Sequence, residues 1–200
     1  MNETHRIFSR SHSILYQSSR KPVDFRIGMV RLTDAAPYIM AGELGYYKEA
    51  GLRVELTWEL GWSSIKHKLA YRQIEAAHAL APMALSMASG YEVAATPCRV
   101  LMITSRMGNA ITLSQYIRER GVSDAEEFRQ EVRSSRARTR YTLGVVAMDS
   151  CHHILLRQWL KGLSLVPDKD VRIVVIPPGQ ALRNLRAQTL DGYCVGEPWN

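Results

Sequence analysis

Polar side chains that could bind a ligand recur just after predicted strands. Trp62 and Ser64 lie at a predicted strand-to-helix corner, Asn109 lies where the pattern of elements changes, and His152 lies in the first turn of a predicted helix. An indole N–H, an imidazole and the free backbone N–H groups of a helix start are all hydrogen-bond donors. A pocket of donors suits a small oxyanion, and the helix dipole adds attraction for negative charge.

The same residues also have structural interpretations. Trp62 is equally well explained as a side chain that closes the edge of a core, and His152 as a histidine packed beside its neighbours. His78 lies within the apolar run AAHALAP, so we expect it to be a core histidine with satisfied hydrogen bonds.

Four more polar residues follow predicted strands and define a possible secondary pocket: Thr33, Asp34, Gln180 and Glu197. Asp34 and Glu197 are explained more simply by a helix cap and by a salt bridge at a hinge strand than as paired catalytic acids.

No recognised catalytic arrangement occurs in the sequence. It contains no nucleophile elbow and no Gly-rich phosphate loop, and Cys151 beside His152 lacks the separated base of a thiol protease. Three consecutive side chains at 151–153 rarely converge on one metal ion. We therefore predict a binding protein, not an enzyme, with no cofactor and no metal site.

Charge and cysteine content restrict the partners and the compartment. The formal net charge is +7, and nine arginines lie in residues 99–140, but five acidic residues alternate with them without an aromatic platform, which argues against nucleic-acid binding. Three widely spaced cysteines suit a reducing compartment. Without the apolar core of a signal peptide, the sequence as given predicts a cytoplasmic protein; a leader upstream would predict a periplasmic or membrane-associated one.

Strand and helix patterns alternate along the chain and predict two α/β units. The first has strands at 25–32 and 52–58, a helix at 38–49, a helix after Trp62 capped by Ser63 or Ser64, and a further strand within 92–104. The second begins near residue 106 and includes a helix from about Cys151 to Leu163, capped by Asp149 or Ser150, with Ile154, Leu155, Trp159 and Leu163 facing inward. Two such lobes predict a hinged small-molecule receptor.

Six motifs occur in a characteristic order: LTDAAP at 32–37, Trp62, AAHALAPM at 76–83, Cys151-His152, VVIPPGQ at 174–180 and DGYCVGEPW at 191–199. Together they resemble the nitrate-binding proteins of bacterial ABC importers and their cytoplasmic nitrate- or nitrite-sensing relatives. The resemblance implies an α/β, two-lobed type II periplasmic-binding-protein fold with the C-terminal part of lobe one missing. Residues 1–24 would be a flexible lead-in, 25–106 the N-terminal part of lobe one, 107–195 lobe two and 196–200 the start of the return crossing.

The resemblance also implies the site. Trp62 and the backbone near Ser64 would line it from lobe one, and Asn109 and His152 from lobe two; Asn109 stands where the family usually has glutamine. The ligand would be nitrate or nitrite, with bicarbonate as the ligand of related receptors. The partners would be ABC permease and ATPase subunits for an importer component, or an RNA-binding antiterminator for a sensor, with no direct contact to nucleic acid.

Overall fold

The computed structural model describes residues 13–15, 23–135 and 140–200. The chain divides into two compact units, Met1–Ser105 and Arg106–Asn200, and each contains a four-stranded sheet. Across the described residues, no helix has both the length and the apolar character that a membrane crossing requires. Most of the predicted lead-in lies outside the described residues, although Ser13–Leu15 within it forms a strand.

The sheet of the first unit is built mainly from parallel strands. Its strands are β1 (Ser13–Leu15), β2 (Phe25–Val30), β3 (Val54–Glu59) and β4 (Ala76–Ala77). They are ordered β1-β3-β2-β4, with β1 antiparallel and the others parallel. The carboxyl ends of β2, β3 and β4 therefore lie at one edge, where ligands of α/β proteins commonly bind.

The helices of the first unit follow these strands. They are α1 (Ala36–Glu43), α2 (Tyr46–Glu49), α3 (Trp62–Ala70) and α4 (Ala81–Ser89), with a 3₁₀ turn at Thr33–Ala35. The core is formed by buried side chains of β2, β3 and the 3₁₀ turn: Ile27, Met29, Ala35, Val54 and Leu56.

Three sequence predictions for the first unit are wrong. The helix predicted over 38–49 is split, because Gly45 takes a left-handed φ of 82° between α1 and α2. Helix α3 begins at Trp62 with Gly61 as N-cap, so Ser63 and Ser64 lie inside its first turn. Residues 91–108, all described, form no strand, and residues 100–103 are exposed. An apolar run becomes a strand only where a neighbouring strand offers backbone partners.

The second unit has a mixed sheet. Its strands are β5 (Asn109–Leu113), β6 (Thr142–Val145), β7 (Arg172–Val175) and β8 (Gly192–Gly196), in the order β5-β8-β6-β7. Strands β6, β7 and β8 are parallel, and β5 runs antiparallel to β8. The helices are α5 (Gln115–Glu119), α6 (Ala125–Ser135), α7 (Cys151–Gly162) and α8 (Ala181–Arg186).

Helix α7 packs Trp159 and Leu163 against the core of the second unit, as predicted, but the other two residues predicted to face inward do not. Ile154 and Leu155 are exposed, whereas His152, Leu156 and Leu160 are buried. Residues 152, 156 and 160 are four positions apart and share one helix face. The orientation that buries the two leucines in the core therefore also turns His152 inward.

Candidate functional site

Three segments of the second unit meet at one edge of its sheet. Because β5 is antiparallel to β8, its first residue, Asn109, pairs with the last residue of β8, Gly196. The loop after the parallel strand β6 leads at the same edge into α7, which carries His152. Asn109 therefore lies at the start of an edge strand, although we predicted a loop after a strand.

The first turn of α7 is fixed by its N-cap. The Ser150 hydroxyl accepts a hydrogen bond from the backbone N–H of His153 at 3.0 Å and donates to the carbonyl of Ala147 at 2.6 Å. The predicted cap at Ser150 is thus confirmed. His153 donates through Nδ1 to the carbonyl of Met148 at 2.6 Å, which gives it a structural role in this turn.

His152 is 1% exposed and lies beside a thiol and an amide. Its Nδ1 is 3.9 Å from Cys151 Sγ, and Asn109 Nδ2 donates to the same sulfur at 3.8 Å. These contacts direct the other end of each side chain toward Gly196.

Gly196 leaves space where polar atoms converge. A Cβ on this residue would lie 3.6 Å from His152 Nε2, 3.7 Å from Asn109 Oδ1 and 3.6 Å from the carbonyl oxygen of Gly108. A ligand atom near this position would contact an imidazole nitrogen and two carbonyl oxygens. The arrangement can hold a small polar ligand, and it offers acceptors as well as donors.

The thiol of Cys194, in the core of the second unit, is held in its protonated form by burial. Cys194 in β8 is 1% exposed, and burial raises the pKa of its thiol to about 12. Among the described residues, no group of three or more His, Cys, Asp or Glu side chains is arranged to hold a metal ion.

In the first unit, the corresponding strand edge carries Trp62 and His78. Trp62 is the first residue of α3 and has no exposed surface, and its ring meets the His78 ring edge-on, with centroids 5.1 Å apart. Neither Trp62 Nε1 nor His78 Nδ1 has a hydrogen-bond partner among the described residues. His78 is buried as predicted, but the expectation of satisfied hydrogen bonds is wrong.

The Ser64 hydroxyl is engaged inside the first unit. It donates to the carboxylate of Glu59, a 7% exposed residue at the end of β3 that also accepts from Lys68 Nζ at 2.7 Å. The Ser64 side chain is therefore turned toward Glu59. What Ser64 retains for a ligand is its backbone N–H in the first turn of α3, where N–H groups lack intrahelical partners.

A family model described as the NMT1-like family matches residues 18–200. The chain belongs to this family.

Relatives of this NMT1-like chain are named for the transport or the binding of small anions. A bicarbonate transport ATP-binding protein of Synechocystis is 39% identical over 89% of this chain and 27% of its own length. A nitrate/nitrite binding protein, NrtA, of Nostoc is 30% identical over 88% of this chain and 41% of its own length. The chain thus spans less than half the length of either relative.

The comparison with solved structures finds the same class of relative as the comparison of sequences. The periplasmic nitrate-binding protein NrtA from Synechocystis superposes with a TM-score of 0.81 at 28% identity, over 88% of this chain and 47% of the other. The predicted resemblance to nitrate-binding proteins and the predicted periplasmic-binding-protein type of α/β fold are confirmed.

The residues predicted for a secondary pocket are distributed over both units of this NMT1-like chain. Thr33 and Asp34 form the 3₁₀ turn after β2. Gln180 ends a 3₁₀ turn after β7 and is exposed, and Glu197 is exposed directly after β8. The backbone N–H of Glu197 donates to the carbonyl of Gly108 at 3.2 Å, which holds residue 197 beside the start of β5.

Two residues at these sheet edges, Gly196 and His78, were not among the residues that the sequence predicted for a binding site. The sequence does not indicate that the position of a Cβ at Gly196 is open space beside polar atoms, because that space depends on distant residues. For His78 a signal was present, since it directly follows a predicted strand, which in the structure is β4 and pairs in parallel with β2.

Proposed function

We propose that this chain binds a small oxyanion, in the first instance nitrate or nitrite, as part of the solute-binding component of an ABC-type importer. The observation that carries the proposal is the convergence of His152, Asn109 and the Gly196 backbone at one sheet edge of the second unit. The names of the nitrate-binding relatives support the same ligand class.

Each unit carries groups that can bind an anion. The candidate groups are His152 and Asn109 at the sheet edge of the second unit, and Trp62 and the backbone N–H of Ser64 at the sheet edge of the first unit. Nitrate spreads one charge over three oxygens, so several modest donors can replace its water, each contributing about 1 kcal/mol and more where a donor is charged. In this proposal the chain binds the anion, and its partners are the permease and ATPase subunits of the importer, which would transport the bound anion.

Bicarbonate is the second candidate ligand. The relative of 39% identity is named for bicarbonate transport, and Asn109 Oδ1 and the Gly108 carbonyl are acceptors near Gly196. Bicarbonate carries an O–H that can donate to such an oxygen, whereas nitrate has only acceptors. The ATP-binding activity named for that relative is not carried over, because the sequence contains no phosphate-binding loop.

The decisive experiment is isothermal titration of nitrate, nitrite and bicarbonate into the full-length protein. We expect saturable binding of at least one of these anions. The anion that binds with the highest affinity is then identified as the ligand. Binding of none of them would refute the proposal.

The His152→Ala variant tests the residue in the second unit. Loss of one buried hydrogen-bonding partner for a charged ligand is expected to weaken binding about tenfold to hundredfold. His67→Ala is the matched control, because His67 lies on the exposed face of α3 and donates only to the Ser63 carbonyl. An unchanged affinity in a folded His152→Ala protein would remove His152 from the site.

A further inference from the structure

Three elements of the first unit bring Asp34, Trp62 and His78 together. Asp34 follows β2, Trp62 begins α3 after β3, and His78 directly follows β4. The backbone N–H of His78 donates to the Gly28 carbonyl of β2 at 2.9 Å, which fixes the start of this segment against the sheet. All three residues therefore lie at the carboxyl edge of parallel strands.

Two polar atoms in this group lack protein partners. Trp62 is fully buried and His78 is 3% exposed, and neither Trp62 Nε1 nor His78 Nδ1 makes a hydrogen bond within the described residues. A buried polar atom without a partner costs about 1–3 kcal/mol. Two such atoms on rings in edge-on contact indicate a place where a ligand supplies the missing partner.

Among the described residues, Asp34 is the charged group that faces His78. Its Oδ2 lies 3.9 Å from His78 Nε2, and the other ring near the imidazole, apart from Trp62, is Tyr38, with centroids 6.1 Å apart. Burial lowers the pKa of His78, and Asp34 opposes that shift without cancelling it. The free protein therefore holds a neutral imidazole at pH 7, and Asp34 is placed to stabilise an imidazolium.

We propose that His78 takes up a proton from solvent when the oxyanion binds and then donates through Nδ1 to that anion beside Trp62. In the neutral tautomer that carries its proton on Nε2, on the side of Asp34, Nδ1 presents a lone pair, which repels a nitrate oxygen. A protonated ring donates from both nitrogens, one toward Asp34 and one toward the anion. The step consumes one proton and one anion and breaks no covalent bond.

This inference rests on the proposed oxyanion binding and gives it a pH dependence. Because the anion stabilises the imidazolium, the pKa of His78 is higher in the complex than in the free protein. Between those two values, nitrate affinity rises as pH falls, by up to tenfold per pH unit. At a pH above both values the dependence disappears.

The test is isothermal titration of potassium nitrate into the full-length protein in Bis-Tris and in Tris at one pH, because neither buffer is an oxyanion that could compete for the site. These buffers differ in ionisation enthalpy, so the difference in apparent heat measures proton uptake. We expect uptake of a fraction of one proton per nitrate and a higher affinity at pH 6 than at pH 8.

Variants at position 78 separate proton linkage from packing. His78→Phe keeps a ring against Trp62 and is expected to abolish proton uptake and weaken binding at least tenfold. His78→Gln keeps an amide donor and should recover part of the affinity without proton uptake. His67→Gln, on the exposed face of α3, should retain the proton uptake and affinity of the unsubstituted protein.

The outcomes distinguish the two proposals. Absence of binding of nitrate, nitrite and bicarbonate to the unsubstituted protein would overturn the proposed function and this inference with it. Nitrate binding without proton uptake would overturn the inference alone. The same holds for uptake that persists in a folded His78→Gln protein or that is lost only in His152→Ala.

Discussion

At the scale of single residues, Gly196 is the position where one added methyl group tests the site. In Gly196→Ala the new Cβ would lie 3.6–3.7 Å from its nearest neighbours, which is ordinary van der Waals contact. The fold should therefore tolerate the change, while the methyl group occupies the space of a ligand atom. We expect oxyanion affinity, measured by isothermal titration, to fall at least tenfold with little change in melting temperature.

Gly162→Ala is the matched control for that substitution. Gly162 ends α7, and a Cβ there would meet no heavy atom within 4 Å. Affinity should remain at its unsubstituted value. Full affinity in Gly196→Ala as well would show that the anion does not approach the end of β8.

At the scale of elements, the N-cap of α7 couples helix stability to the placement of His152. Ser150→Ala removes both the bond from the His153 N–H and the bond to the Ala147 carbonyl. Loss of such a cap costs about 1 kcal/mol, which corresponds to a few degrees in melting temperature. Oxyanion affinity should fall severalfold in addition, because the first turn of α7 orients the imidazole.

Ser134→Ala is the control for Ser150→Ala, because it removes a serine hydroxyl that does not cap a helix N-terminus. The Ser134 hydroxyl is exposed within α6 and donates only to the Glu131 carbonyl one turn earlier. Thermal melting and titration should both match the unsubstituted protein. Equal effects of the two serine substitutions would contradict the role assigned to the cap.

At the scale of the whole molecule, each unit has a core of its own. Leu56 in β3 and Leu143 in β6 have no exposed surface, whereas Leu101 is 86% exposed. Leu56→Ala and Leu143→Ala are each expected to cost about 2–5 kcal/mol through lost burial and a residual cavity. Hydrogen exchange should show reduced protection of β2 and β3 in the first variant, and of β6 and β8 in the second.

Leu101→Ala provides the reference for these core substitutions. Its exposed side chain buries little surface, so exchange rates should change little. Protection losses as large as those of Leu56→Ala would mean that the apolar run at 100–103 is packed in the full-length protein.

Local chemistry allowed much of this molecule to be predicted from its sequence. Alternating apolar residues predicted β2 and β3, and the serine at position 150 predicted the N-cap of α7. The order of six motifs predicted the family. These features depend on residues that are close together in the sequence, or on the order of short motifs. Both can be recognised in the linear sequence without a structure.

The tertiary structure decided what depends on strand pairing. Antiparallel pairing of β5 with β8 sets Asn109 opposite Gly196, and residues 91–108 form no strand despite their apolar run. The burial of Leu156 and Leu160 turns His152 inward, and parallel strand ends bring His78 against Trp62. Such placements arise from hydrogen bonds and packing between residues distant in the chain, and the residues themselves carry no local signal of those distant partners.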